Sequence, residues 1–384
     1  MSEATSSLGT LPDRAAISRV MTSIDAARAR PWYRWRVNAP AADVHLADAL
    51  EDALHAADTA RGPDDAARRL RRKDVPRELL GKPSIAGLLR QAAFEWACLV
   101  PLWVAMAFAP WWVDLPLMLL VAGRLHALGV ILHDATHMPL RRKTAAIRLL
   151  EVAVAYPIAT TLNAMRYHHL RHHKDSGMAS DPYFKAGVDQ HRGRWLVQWL
   201  RGLLLMPFWT VRAPFGLLAS VLPALRPAYA RVFLQDRSGA SDATLRDSPE
   251  VLACARAELG QVLFQAPLIA AFCLWPGLMA WNFAIPATLT GLLASYRVLC
   301  EHRYEPTRDR TLETLLATTR DHHLRPWERI FFAPRNIGFH IVHHLHPQVA
   351  QEHLPALRDY YRARIPAYPA PHPAPLARTE PAHD

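Results

Sequence analysis

The sequence predicts an all-α integral membrane protein: two transmembrane helical hairpins, capped on one membrane face by His-rich helices. Three observations lead there. Four apolar stretches come close to the roughly 20 residues a helix needs to cross a bilayer. They pair around short connectors without Lys or Arg. Half of the 20 histidines fall into three short clusters at or just beyond the ends of apolar stretches.

The stretches are Trp96 to Trp112, Leu115 to Leu132, Val262 to Leu278 and Trp281 to Tyr296, with connectors at Val113-Asp114 and around Gly277 and Asn282. Arg141, Arg142, Lys143, Arg166, Arg171, Lys174, Arg297 and Arg303 crowd the opposite ends. Cytoplasmic loops carry the excess of Lys and Arg, so the connectors are expected to face out and the His clusters and both termini to face the cytoplasm of a bacterial-type membrane. Two further apolar segments are read as interfacial helices. Ala145 to Leu162 carries Arg148, Glu151 and Pro157. Trp195 to Leu225 is interrupted by Arg201, Pro207, Arg212 and Pro214, and an extra short hairpin is the other reading for it.

The 384 residues divide into a polar N-terminal region (1–84), a membrane domain (85–360) and a Pro-rich tail (361–384) expected to be disordered. Hydrophobic residues make up 51%, yet the mean hydropathy is near zero, as for a membrane core diluted by polar flanks. No apolar leader opens the chain, so no cleaved signal peptide is expected. Cys98, Cys254, Cys273 and Cys300 form no CxxC pair, which fits a reducing compartment or burial in lipid. The formal net charge of +11 comes mostly from Arg. Within it, Arg68 to Lys73 reads as a solvated helix face or an anionic-lipid contact. Nothing points to nucleic acid, and oligomeric state is open.

The clusters carry the chemistry. Residues three and four apart share a helix face, so His133 with His137, His169 with His172 and His173, and His340 with His343 and His344 project their imidazoles together. Eight such ligands exceed what one ion takes. Imidazole suits iron, zinc, copper and nickel alike, so the spacing does not choose the metal.

HxxxH, HxxHH and HxxHH in this order, with a hydrophobic hairpin between the second and third, resemble the membrane fatty acid desaturase superfamily. Asp181-Pro182 downstream of the second cluster, Asn336 to Pro347 around the third, and Arg297 with Glu301-His302 add to the likeness, which covers about residues 90 to 355. The resemblance implies a non-haem centre of two iron ions, with O2 as co-substrate. The eight cluster imidazoles and His302 would be its ligands, four or five for each iron. Asp134, Asp181 and Glu301 are candidates to orient those ligands, with Asn336 as a polar contact. No catalytic residue beyond the metal site is expected.

Three histidines stand apart. His168, about 100° round the helix from His169, is read as facing away from the metals. His346 occupies a place where the superfamily usually has an apolar residue. His126, one heptad before His133, either lines the site or hydrogen-bonds within the bundle. His45, His55, His191, His353, His372 and His383 read as ordinary surface or core residues, and His322-His323 as exposed loop.

The expected function is O2-dependent desaturation of a fatty acyl chain that enters from the bilayer. Hydroxylation or ketone formation on a fatty acid, alkane or carotenoid is the alternative within the superfamily. A b-type haem carrier would need His inside facing spans, one per haem face, and a metal transporter would need ionisable groups at mid-membrane. The clusters sit elsewhere. No electron-carrier motif is fused to the chain, so electrons are expected from a separate donor such as a ferredoxin, drawn by the basic face.

Overall fold

Helix-forming apolar runs dominate the chain, and in a bilayer their backbone groups must bond internally. The computed structural model describes residues 74–139, 143–309, 311–322 and 325–371; the regular elements among them are all helices, joined by turns and loops, with an isolated bridge between His302 and Thr319. The Arg68 to Lys73 patch, Arg141-Arg142, His45, His55, His323, His372, His383 and the tail from 372 lie outside the described residues.

Helix α1 (Ile85–Phe108) starts at Ser84, whose hydroxyl accepts from the Gly87 N–H. It ends at Ala109, extended as a residue before proline must be, and Pro110 then leads into α2 (Trp111–Thr136). Val113 and Asp114, expected as a connector, instead form the first turn of α2. Asp114 there meets the positive helix end and accepts a 2.9 Å hydrogen bond from Trp281 Nε1.

The second hairpin is α6 (Pro249–Leu274) and α7 (Pro276–Glu301), turning at Trp275 rather than at Gly277. At the two turns the indoles of Trp111, Trp112 and Trp275 are exposed, as in an interfacial belt. Both hairpins therefore return α2 and α7 to one end of the bundle. Midway along the two helices Thr290 of α7 donates to Ala122 O of α2.

The region from Trp195 differs from its interfacial reading. It forms one run, α5 (Arg192–Val221), long and apolar enough to cross a membrane, so five helices pass that test among the described residues. Pro207 lies near the start of the segment Leu205–Val221, and a 3-10 stretch at Arg201–Leu204 takes up the change in winding. Gly202 faces Gly291 of α7 so closely that a Cβ on either would collide with the other's carbonyl.

The second surprise is polar. Arg212 of α5 is fully buried, with Nε donating to Glu258 Oε1 of α6 at 2.7 Å and Nη2 to Thr160 Oγ1 at 3.1 Å, while Tyr229 OH donates to the same Glu258 oxygen at 2.8 Å. Arg212→Leu leaves Glu258 as an uncompensated buried charge. It should lower unfolding stability by about 3–5 kcal/mol in a detergent melt. The double variant Arg212→Leu with Glu258→Leu should regain most of that, and a silent single variant would show that the pair is not structural.

Between α2 and α5, α3 (Ala145–Val154) and α4 (Leu162–Asp175) belong to a pair bent by 78°. The bend is set by Ala159 in the left-handed region and by Thr161, whose hydroxyl caps α4. By length and composition the pair is a broken span or a re-entrant loop. Beyond α7, two short helices precede α8 (His340–Leu345) and α9 (Leu354–Arg362), which close over the same end of the bundle.

Candidate metal centre

Four elements converge at that end. The last turn of α2 supplies His133 and His137, α4 supplies His169, His172 and His173, α8 supplies His340, His343 and His344, and His302 follows the end of α7. Helical geometry then sorts them. His133, His137, His169, His173 and His343 form one group, and His172, His302, His340 and His344 a second, with ring nitrogens within 4.8 Å of one another in each. The i and i+4 residues of α4 enter the first group and those of α8 the second, while the remaining His of each helix crosses over. The groups adjoin, the His173 and His344 ring centroids being 4.4 Å apart.

Backbone contacts hold the elements. Arg166 of α4 donates to the carbonyls of Thr136 and Met138, binding α4 to the end of α2. Asp321 Oδ1 accepts from the Ile341 N–H at 2.9 Å and Oδ2 from Tyr368 OH at 2.8 Å, which fixes the first turn of α8. His302 is extended (φ −124°, ψ 148°) and held by pairing on both sides. The Arg303 N–H donates to Thr318 O at 2.7 Å and the Arg320 N–H to Glu301 O at 2.8 Å.

The nitrogen geometry tests whether an ion fits. Nε2 of His169 lies 2.9 Å from that of His137 and 3.0 Å from that of His173, which in turn lies 3.0 Å from His343 Nε2. In the second group His340 Nε2 lies 3.0 Å from His302 and 3.1 Å from His344. A ring nitrogen has one in-plane position, either an N–H or a lone pair, so His169, His173 and His340 cannot hydrogen-bond both neighbours. Two nitrogens each about 2.1 Å from one ion, at right angles, are about 3.0 Å apart. Both nitrogens of His133 and Nε2 of His172 are buried without hydrogen-bond partners. Convergence on a cation accounts for the short nitrogen contacts and for one such nitrogen of each of these two rings.

At His343 the ring is in the ligating form. Burial, then the positive Arg297, holds His343 down to about 3, so its imidazole is neutral. His172 Nδ1 donates to Asp181 Oδ1 at 2.9 Å. Burial opposes ionisation of Asp181, but His172 and the N–H groups of Gly177 and Tyr183 outweigh it and keep the carboxyl below its usual range.

A fatty acid desaturase family model matches residues 109–375, more than half of the chain. The chain belongs to the fatty acid desaturase family. No match was found among curated proteins. As a fatty acid desaturase family oxidoreductase, the protein has two buried His groups consistent with the family's non-haem di-iron site. Family membership implies a lipid substrate and an electron donor.

Of the other expected residues, Glu301 is buried, bound through both oxygens by Arg297, and 3.6 Å from His340 Nδ1. Asp134 points elsewhere. It lines a separate polar cavity with Arg124 and Glu95, and its Oδ1 has no hydrogen-bond partner. Asn336 donates to Gln351 O at 3.4 Å, and Gln351 to Val130 O of α2. His346 contacts Tyr361 OH at 2.7 Å, away from both groups. His322, expected in an exposed loop, is nearly buried, with Nε2 3.5 Å from Glu301.

A cavity of about 610 Å³ opens beside the groups. His133, His169, His172, His302 and His340 line one part, and Leu125, Ile158, Met165, Met206 and Phe208 another. His126, whose Nδ1 donates to Phe331 O at 2.8 Å, and His168, whose Nδ1 lies 3.0 Å from Tyr183 OH, join neither group but line this cavity. Sequence reasoning missed Tyr183, which stacks on His172 at 4.3 Å, and Lys185. The adjacent Asp181-Pro182 was the signal that could have drawn attention to them.

Proposed function

We propose that the protein introduces a C=C bond into the acyl chain of a lipid drawn from the bilayer, with nine imidazoles as ligands of two irons: His133, His137, His169, His173 and His343 for one, His172, His302, His340 and His344 for the other. The observation that carries this reading is the cavity, because one continuous space is lined by cluster imidazoles and by apolar side chains. Two irons bound there supply the O2 activation needed to break an unactivated C–H bond, which no protein acid or base can break.

The chain's own residues do the rest. The apolar walls hold a methylene against the imidazole-lined end and exclude water. Asp181 fixes the tautomer and direction of His172, Tyr183 restrains the His172 ring from the cavity side, and Glu301, 3.6 Å from His340 Nδ1, places negative charge beside the second group. Removing two hydrogens from the chain supplies two of the four electrons that take O2 to two waters. A separate donor such as a ferredoxin supplies the others. Arg and Lys at the His end favour that end as cytoplasmic and as the donor's docking face.

Lipid profiles of cells expressing the wild type or His172→Ala test the reaction. The wild type should yield a product lighter by two hydrogens, and the variant none. A product heavier by one oxygen would overturn desaturation in favour of hydroxylation.

A further inference from the structure

The same cavity has a second chemical character at its mouth. Lys185, Arg201, Arg231 and Arg237 line it there, from the segment between α4 and α5, the start of α5, and the segment before α6. Nearby acids are engaged. Asp181 accepts from His172 Nδ1, Asp236 accepts from Tyr167 and Ser238, and Asp242 pairs with Arg231. Among the described residues Lys185, Arg201 and Arg237 form no ion pair. Lys185 donates only to Tyr183 O at 3.2 Å, and Arg237 to the carbonyls of Asp181 and Phe184. Burial, then Arg237, pushes the Lys185 ammonium down to about 8, with Asp181 opposing the shift in part and Arg201 adding to it.

We infer that Lys185, Arg201 and Arg237 form a subsite for the anionic head group, carboxylate or phosphate, of the chain that fills the apolar part of the cavity. This rests on the acyl-cavity reading above and narrows it. A neutral alkane or isoprenoid entering here would desolvate three cations and pair none, whereas an anion gains charge-assisted hydrogen bonds. Arg237, tied to two carbonyls, sets the rim, and Lys185 and Arg201 are free to reach the ligand.

The test is displacement of a fluorescent fatty acid from the iron-loaded protein in neutral detergent, using a carboxylate, a monoalkyl phosphate and an alcohol of one chain length. In the wild type an anion should displace the probe at a concentration about tenfold below the alcohol, and whichever anion is stronger identifies the head group. Lys185→Gln and Arg201→Gln should each weaken that anion about tenfold and leave the alcohol unchanged. An alcohol as potent as both anions, or an anion preference that survives both substitutions, overturns the subsite while leaving the acyl cavity standing. A cavity that binds none of the three overturns the acyl reading and the subsite with it.

Discussion

His302→Ala is expected to lower iron content and to reduce turnover by more than about 100-fold, beyond the 10–100-fold that loss of an outer partner costs, while the protein still inserts and keeps its helicity. His302 lies outside the three repeated clusters, so its loss tests the four-His group by its one isolated member. If it were only a helix-end imidazole, it would contribute at most about 1 kcal/mol through the helix dipole. Its surroundings argue otherwise. The residue is extended, its neighbours Glu301 and Arg303 are bound by backbone pairing to 318–320, and its Nε2 lies 3.0 Å from His340 Nε2. His353→Ala, at a partly exposed ring, should leave iron and turnover intact. A His302→Ala protein with full iron and full turnover would remove this residue from the centre.

His302 is suspected from the sequence only through the family resemblance of Arg297 with Glu301-His302, whereas the clusters announce themselves by spacing. The clusters are legible because i, i+3 and i+4 spacing is local: three short stretches state their own geometry before any fold is known. The hairpins are legible because a bilayer demands long apolar runs. What spacing does not state is which His of each helix belongs to which ion, since that depends on how α4 and α8 face each other. Arg212 reads as an interruption of α5 until Glu258, 46 residues later, is placed beside it. Asp134 follows a cluster His in sequence, but the next position on a helix turns by about 100°, and its carboxylate faces a different cavity. His322 looks exposed because its neighbours are polar, yet the chain there folds back against Glu301. Long-range pairing decides the assignment of His to ions, the place of Arg212 and the burial of His322, and no local pattern encodes it.

Removing the metal should have the broadest effect. The purified protein is expected to carry about two irons per chain, because two groups of buried imidazoles each converge at the spacing of ligands on one ion. Without the ions, the central nitrogens of each group are left facing more neighbours than they can hydrogen-bond, and the cost falls on α8, the residues after α7 and the ends of α2 and α4. Treatment with a chelator should therefore lower the melting temperature by at least about 5 °C, the shift that about 3 kcal/mol of linked binding energy gives, while the spanning helices keep most of their helicity. Zinc offers a sharper control. It accepts imidazole but has no redox chemistry, so refilling with zinc should restore the melting temperature and no turnover, and refilling with ferrous iron should restore both. Iron content near one per chain, a stoichiometric haem absorption band, or full turnover in the chelated protein would each sink the two-iron centre. Recovery of stability with zinc and of activity with iron alone would separate the two roles of the imidazoles, holding the helix ends together and holding the redox ions.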